Sequence, residues 1–496
     1  MRLSGLAPLR QTLFVNYASR RMLSSRLVSE IRRLVGDANV VVDADSLRVY
    51  ECDGFTLEKA RPEVVVLPGS TEEVVDVVRL LARERVAFVP RGAGTGLSGG
   101  CLPVGAPVSV CTSRMNRILH LDARNHRALV EAGVVNAWIS RAALPHGLCY
   151  APDPSSQPAC TIGGNVAENS GGPHTLKYGV TTNHVLGVEV VLADGERIQL
   201  GGFGEDVPGY DLTGLCVGSE GTFGIVTKVF VRLVRLPEAI KTFLAVFDSV
   251  DDATATVSGI IAGGIVPAAL EMMDQTIIEA VEAAYHVGYP SDAGGVLIIE
   301  LDGLASGGEV QAERVVAVCR DRGARDVRVA RDDAERALLW KSRKRAFGAV
   351  GRLAPNYCTQ DGVVPRTKVP DILRAIQTAA ERYRLRIGNV FHAGDGNIHP
   401  ILLYDERDPG QVERVLAAGR DILAACVALG GSLTGEHGIG VEKMEQMPLI
   451  FGADDLDVMH RLRLAFDPDE RCNPHKILPS PGGCIEIKWP KRGVPA

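Results

Sequence analysis

No run of apolar residues in this sequence approaches the length of a membrane-spanning helix, so any membrane contact is expected to be peripheral or through a partner. No C-x-x-C pair occurs. The 11 cysteines are odd in number and scattered, which fits neither a disulfide scaffold nor an iron–sulfur protein. Reduced thiols in an intracellular compartment, each a small core filler, are expected instead. There is no excess of positive charge. A net charge of −6 over 496 residues argues against broad nucleic-acid binding. Internal repeats and long low-complexity linkers are absent too. What is present is an ordinary globular composition, 46% apolar and 23% charged. At roughly 150 residues per domain, the length suggests two or three domains and a large core.

Before Glu30 the chain carries Arg2, Arg10, Arg20, Arg21 and Arg26 and no acid. Two readings fit: a mitochondrial presequence, or a start assigned too early, with translation beginning at Met22.

Val64-Val65-Val66-Leu67 reads as a buried strand and Ser70-Thr71-Glu72-Glu73 as a capping box. Val74, Val77, Val78 and Leu81 form one face of an amphipathic helix. Ala87-Phe88-Val89 is a further strand, so residues 61–91 read β-α-β. Short β-rich runs follow at 108–111, 128–131, 187–193 and 224–234, with Asp194-Gly195 as a turn and Pro237 marking the end of an α+β domain. Beyond it, strands at 242–247, 296–301 and 327–330 alternate with helices at 250–262 and 308–322. That pattern suits helices packed on one face of an antiparallel sheet. The expected organisation is an extension with a first helix at 1–40, domains at 41–237 and 238–480, and a tail at 481–496.

The strand at Phe88 runs into Pro90-Arg91-Gly92-Ala93-Gly94-Thr95-Gly96-Leu97-Ser98-Gly99-Gly100. Residues 94–99 match G-x-G-x-x-G. A nicotinamide site needs a helix directly after that loop, and Gly100, Pro103, Gly105 and Pro107 stand there instead. Six glycines within residues 92–105 are costly to order, and a bound anion approached by bare backbone amides explains them. Two stretches share this character. Ala151-Pro152-Asp153-Pro154-Ser155-Ser156 leads to Cys160-Thr161-Ile162-Gly163-Gly164-Asn165-Val166-Ala167-Glu168-Asn169-Ser170-Gly171-Gly172, and Gly218-Ser219-Glu220-Gly221-Thr222-Phe223-Gly224-Ile225 follows. Three such loops can wrap one extended dinucleotide.

Near the C-terminus, Phe391-His392-Ala393-Gly394-Asp395-Gly396-Asn397-Ile398-His399-Pro400 reads as two strands joined by a turn. Such a hairpin brings His392 and His399 to facing positions, with Cβ atoms about 5 Å apart. That spacing suits two imidazoles on one divalent ion. Glu436, in Thr434-Gly435-Glu436-His437-Gly438, supplies a third ligand. Zn²⁺ is the first choice for this N/O set, and Mn²⁺ or Fe²⁺ also suit it. Glu436 and His437 would face opposite ways in a regular strand, but Gly435 and Gly438 relax the backbone so that both can converge on one substrate. Trp340-Lys341-Ser342-Arg343-Lys344-Arg345 is a basic cluster on an expected helix. Asp361 is given no role.

Taken together, these motifs resemble the FAD-binding domain of the vanillyl-alcohol oxidase / para-cresol methylhydroxylase superfamily. Within it they are most similar to the family of glycolate oxidase catalytic subunits and D-lactate dehydrogenases. The similarity runs from Tyr50-Glu51-Cys52-Asp53-Gly54 to Asn473-Pro474. It implies an α+β fold, a two-lobed FAD-binding domain followed by a C-terminal α+β cap with an antiparallel sheet. It also implies that residues 91–98 and 155–165 hold the pyrophosphate and ribityl chain of FAD, and that 219–225 lie along the adenine side. The cofactor set is then Pro90, Arg91, Gly92, Ala93, Gly94, Thr95, Gly96, Leu97, Ser98, Pro154, Ser155, Cys160, Thr161, Gly163, Gly164, Asn165, Asn169, Gly172, Glu220, Gly221, Gly224, Ile225 and Asn473. Where the family usually has Asn-Pro-Gly-Lys, this chain has Asn473-Pro474-His475-Lys476. Many relatives outside this branch bond FAD covalently through a histidine in the first loop. Gly94-Thr95-Gly96 stands there, which implies non-covalent FAD.

By the same resemblance Glu436 is a metal ligand beside His392 and His399, His437 is the general base, and Arg343 clamps a substrate carboxylate. The implied reaction is dehydrogenation of a small 2-hydroxy acid, glycolate or D-lactate, with metal-assisted proton removal and hydride transfer to flavin N5. A second FAD-domain subunit and an iron–sulfur subunit feeding quinone are the implied partners. The expected location is cytoplasmic and peripheral at the inner membrane, or mitochondrial if the arginine-rich start is a presequence. The rival readings are a stand-alone D-lactate or D-2-hydroxyglutarate dehydrogenase, a sugar or aldonolactone oxidase, and a non-catalytic flavin-binding subunit.

Overall fold

The computed structural model describes residues 23–204 and 208–479. The arginine-rich segment up to Met22 and the tail at 481–496 lie outside the described residues. Among the described residues, no helix is long and apolar enough to cross a membrane.

Helix α1 (Ser25–Val35) buries Leu27, Ile31 and Val35 against Val74, Val77, Val78 and Leu81 of helix α2 (Thr71–Arg83). Both pack on a first sheet of β1 (Val40–Val41), β2 (Val64–Val66), β3 (Phe88–Arg91) and β4 (Val108–Cys111), in the order β1-β2-β4-β3. The β-α-β unit is present, but its strands are not neighbours. β4 inserts between β2 and β3, parallel to both. All four β4 residues are buried, as suits a strand enclosed on both faces. Half of the expected capping box forms. The Ser70 hydroxyl accepts from Glu73 N at 3.2 Å, while the Glu73 carboxylate accepts from Gly69 N at 2.7 Å.

A second, antiparallel sheet contains β5 (Ile118–Asp122), β6 (Arg127–Glu131), β7 (Val185–Val191), β8 (Arg197–Gly201) and β9 (Ile225–Arg232), ordered β5-β6-β9-β7-β8. Asp194-Gly195 turns β7 into β8, with Gly195 at φ +85°. The short helix α3 (Ile162–Glu168) packs Ile162 and Val166 into the core of this sheet.

The C-terminal lobe is built on a nine-stranded antiparallel sheet. Its strands are β10 (Ala239–Phe247), β11 (Ala269–Asp274), β12 (Gly295–Gly303), β13 (Ala324–Val329), β14 (Asn356–Thr359), β15 (Gly362–Val363), β16 (Arg386–His392), β17 (Asn397–Ile398) and β18 (Pro400–Tyr404). Helices α4 (Val250–Ala262), α6 (Gly308–Asp321), α8 (Val369–Tyr383) and α9 (Pro409–Ala428) share one apolar core with it. Helices α5 (Gln275–Tyr285) and α7 (Asp333–Lys344) share another. Helices on a single face were expected, and this is corrected. On β10, Phe243, Ala245 and Phe247 point into one core and Leu244 and Val246 into the other, so both faces are apolar and both need cover.

The lobes are stitched together by polar contacts. Tyr178 donates to Asp302 of β12 at 2.5 Å, and Lys177 donates to the Asp302 carbonyl at 2.7 Å. His174 Nδ1 lies 3.0 Å from Asp153 and its Nε2 lies 3.3 Å from Glu300 of β12. Cys472 runs beside Phe88 at the edge of the first sheet, and Asn473 N donates to the Phe88 carbonyl at 2.8 Å.

Burial alone would lower the His174 pKa, but the Asp153 and Glu300 carboxylates outweigh it and push it up to about 10. Asp153, despite burial, is held down to about 2 by His174 and Lys344. Glu300, despite burial, is also held low by His174 and Arg336. A raised imidazole stabilises fully below its ordinary value of about 6.5 and less as pH rises towards its folded value. Depressed carboxylates stabilise above about 4 and lose that contribution on further acidification. The stability difference between wild type and His174→Gln, measured by urea unfolding, should therefore be largest between about pH 4 and 6.5 and vanish by about pH 10. A difference independent of pH would contradict this.

Candidate active site

The two lobes enclose a cavity of about 340 Å³. Its N-terminal wall is made by the three glycine-rich loops and its C-terminal wall by Arg343, Lys344, Phe347, Tyr357, His392, His399, Glu436 and His437. Close approach explains the glycines. A Cβ on Gly92 would overlap the Thr161 hydroxyl, and one on Gly163 would lie 2.8 Å from Ala132 Cβ. Thr161 caps α3, accepting from Gly164 N at 3.3 Å, and leaves Gly163, Gly164 and Asn165 on the wall. Asn165 is 2% exposed and its Nδ2 has no partner within the protein.

Pro90 to Leu97, Pro154, Ser155, Cys160, Thr161, Gly163, Gly164, Asn165, Glu220, Gly221, Gly224 and Ile225 all line the cavity. Ser98, Asn169, Gly172 and Asn473 stand just behind this wall. Ser98 lends its carbonyl to Val441 N and Glu442 N. Asn169 ends α3 with φ +52° and accepts from Thr182 N. Gly172, at φ +135°, packs on the Asp153–Pro154 peptide. Asn473 Nδ2 donates to the carbonyls of Gly100 (2.9 Å) and Glu220 (2.6 Å), tying two glycine loops together. Arg91 lines the cavity while its guanidinium faces Cys52 O at 3.0 Å and Cys101 Sγ at 3.2 Å.

On the opposite wall β16, β17 and β18 form the expected hairpin, with its register displaced. His392 pairs with Asn397, and Asn389 pairs with Pro400. His399 therefore sits diagonally from His392 on the same face, and the ring centroids are 5.2 Å apart. Glu436 Oε1 lies 3.1 Å from His392 Nε2 and 3.2 Å from His399 Nε2. One ligand atom from each residue thus falls within a 4.8 Å cluster. The His437 ring stacks on His399 at 4.9 Å and 9°.

Sequence reasoning missed two residues behind these ligands. Glu271 of β11 pairs in register with His392 and accepts from its Nδ1 at 2.7 Å. It also meets Arg343 Nη2 at 2.6 Å. Asp361 is a hub rather than a residue without a role. It accepts from the backbone N–H of Gly435 (3.1 Å) and His437 (2.9 Å), from the Thr434 hydroxyl (2.5 Å) and from Asn397 Nδ2 (2.8 Å). His399 Nδ1 faces it at 3.8 Å. The available signal was an acid in an apolar run, Leu270-Glu271-Met272-Met273, and one beside the turn Asp361-Gly362. The expected basic helix is present as α7, where Arg343 is 1% exposed and its Nε has no partner.

Burial opposes charge at each of these groups, and the neighbouring charges decide whether it prevails. Glu271 and Glu436 outweigh burial and hold His392 well above the imidazole range. The two imidazoles outweigh burial and hold Glu436 well below the carboxylate range. At His437 burial wins over Asp361, pushing it down to about 4 and leaving a neutral imidazole. Asp361, His399 and His437 form a second cluster of ligand type. The buried Lys443 ammonium, 3.4 Å from Asp361, already supplies positive charge there. The His392–His399–Glu436 set, with one carboxylate behind each imidazole, is the better cation site.

Residues 62–201 match the family model described as FAD binding domain, and residues 236–477 that of FAD linked oxidases, C-terminal domain. "Glycolate oxidase subunit GlcD" of Escherichia coli K12 is 47% identical over 457 residues, 92% of each chain. The chain belongs to the FAD-linked oxidases. A "D-lactate dehydrogenase" of Anaerostipes hadrus is 33% identical, over 90% of this chain and 94% of its own. The structure of p-cresol methylhydroxylase with substrate bound superposes with a TM-score of 0.76 at 19% identity, over 91% of this chain and 96% of its own. The expected family resemblance and fold class are thereby borne out. The glycine loops suit FAD, since they bring bare backbone and the unpartnered Asn165 amide to the cavity.

Asp361→Asn should weaken divalent-ion binding roughly 10–100-fold, read as residual metal after dialysis, because it loosens both the 434–437 loop and His399. Wild-type metal retention would show that Asp361 supports neither.

Proposed function

We propose that this protein is a flavin-dependent dehydrogenase of small 2-hydroxy acids, oxidising glycolate to glyoxylate and D-lactate to pyruvate. One observation carries the reading. A guanidinium, a neutral imidazole and a His-His-Glu cluster converge on one wall of a cavity whose opposite wall is the FAD-binding loops. The 47%-identical relative bears the name of a glycolate oxidase subunit, and a 33%-identical one that of a D-lactate dehydrogenase, which supports this substrate class.

In this reading Arg343 receives the substrate carboxylate, with its unpartnered Nε as a donor and Glu271 holding the far side of the guanidinium. His392, His399 and Glu436 hold a divalent ion, Zn²⁺ as first choice with Mn²⁺ or Fe²⁺ also suited. Bound in their places, the ion would supply positive charge that lowers the pKa of the substrate hydroxyl, and the flavin would supply the acceptor for the hydride that carries the Cα–H electron pair. His437, neutral and with Nδ1 free of protein hydrogen bonds, takes the hydroxyl proton. Asp361 keeps the backbone at His437 in place by accepting its N–H. The absence of a histidine at Gly94-Thr95-Gly96 supports non-covalent FAD.

The ten described cysteines are all free, and none is placed to hold a cluster with its neighbours in sequence. We assign onward electron transfer to a second FAD-domain subunit and an iron–sulfur subunit feeding quinone, with cytoplasmic location and peripheral membrane association through them.

Anaerobic mixing with glycolate, D-lactate, L-lactate and D-2-hydroxyglutarate should bleach the flavin fastest with glycolate or D-lactate, and chelation should abolish it. No bleaching by any of the acids would leave a flavin-binding subunit without this chemistry. His437→Ala should retain FAD while reduction slows roughly 10²–10⁴-fold. Near-normal bleaching in that variant would remove His437 from the role of base. Acid precipitation should leave the yellow colour in the supernatant, whereas colour in the pellet would mean a covalent bond.

A further inference from the structure

Arg343 sits in the last turn of α7, and the same helix carries Arg336, Trp340 and Lys344 at spacings of four residues. These three side chains all meet carboxylates, the buried Glu300 or the half-buried Asp153. Glu300 of β12 accepts from Arg336 Nε and Nη2 at 2.9 Å each and from Trp340 Nε1 at 2.6 Å. Lys344 Nζ donates to Asp153 Oδ2 at 3.1 Å. His174 lies between the two acids, 3.0 Å from Asp153 Oδ1 and 3.3 Å from Glu300 Oε1. Its ring leans on Trp340, with centroids 5.4 Å apart at 30°.

The ends of this chain of contacts have functional neighbours. Asp153 directly precedes Pro154 and Ser155 on the FAD wall, and Gly172 holds that peptide so closely that its Cβ would lie 2.7 Å from Asp153 C. At the other end, Arg343 is tied to Glu271 and through it to His392. The orientation of α7 is therefore set by groups from both lobes. A shift of about 1 Å at a positioning group is enough to impair a reacting geometry.

We propose that His174 is a positioning residue for Arg343: by bridging Asp153 of the FAD-binding half to Glu300 of the C-terminal half, it fixes how α7 lies against the cavity. The inference rests on the reading of Arg343 as the carboxylate anchor. His174 does not line the cavity, and it acts through α7. A bridge formed from a charged imidazole and two carboxylates is directional, whereas apolar packing of α7 alone would tolerate small slides along its axis.

The test uses the full chain loaded with FAD and divalent ion. His174→Phe keeps a ring over Trp340 and removes both polar contacts, and His174→Gln keeps a donor. KM and kcat are measured for glycolate with an artificial acceptor. The Kd of oxalate, an unreactive carboxylate probe, is measured from its perturbation of the flavin spectrum. Lys177→Met is the control, since it breaks an inter-lobe ion pair with Asp302 that is not hydrogen-bonded to α7. His174→Phe should raise both KM and oxalate Kd about 10-fold, with kcat within about 3-fold and FAD content unchanged. His174→Gln should give a smaller rise, and Lys177→Met none. Wild-type KM and Kd in both His174 variants, or an equal rise in Lys177→Met, would overturn the proposal. Arg343→Met separates the two readings. If it leaves KM and oxalate Kd unchanged the anchor itself is wrong, and if it alone raises them the anchor stands and the bridge does not.

Discussion

Glu271 is fully buried between Leu270 and Met272, and a carboxylate there is tolerable only with its charge met inside the protein. It is met twice, by His392 Nδ1 on one oxygen and by Arg343 Nη2 on the other. A single buried acid thereby orients a residue of β16 and a residue of α7 towards the same space. Asp361 does the same for the other side of the site. It gathers the backbone of the 434–437 loop, the Asn397 amide and the Lys443 ammonium, and it faces the rear nitrogen of His399. With His392 Nδ1 bonded to Glu271 and His399 Nδ1 facing Asp361, the other nitrogens of both imidazoles turn to Glu436 and the cavity.

The FAD wall obeys a different constraint, closeness rather than charge. Gly92 lies against the Thr161 hydroxyl and Gly163 against Ala132, so the segments that build this wall pack closely without side chains between them. The 434–438 loop shares this demand. A Cβ on Gly435 would overlap the Asn397 amide, and Gly438 takes φ +84° between Glu168 and Glu220. Asn473 binds the carbonyls of Gly100 and Glu220 and holds two of these loops to each other. Its contribution is to the shape of the wall.

Much of this was legible before the fold was known. Period-3.6 and short β-branched runs placed α2, α4, α6, β10 and β12 to within a few residues, because each element buries its own apolar pattern. The glycine loops and the histidine-rich turn were legible because glycine at such density and paired imidazoles serve few structural purposes. Other features were not. The insertion of β4 between β2 and β3 depends on pairing between strands distant in sequence. The double cover of the C-terminal sheet showed only as an uninterrupted apolar run in β10, which a strand covered on one face can imitate over so short a length.

By itself the sequence determined the family, the two kinds of wall and the grouping of His392, His399 and Glu436, since these follow from motif, local chemistry and spacing. The tertiary structure alone decided which acids stand behind them. Glu271 lies 121 residues from His392, and Asp361 lies 76 residues from His437. Only long-range strand pairing and loop packing bring such residues together, and only burial after that packing makes their charges strong enough to orient their partners.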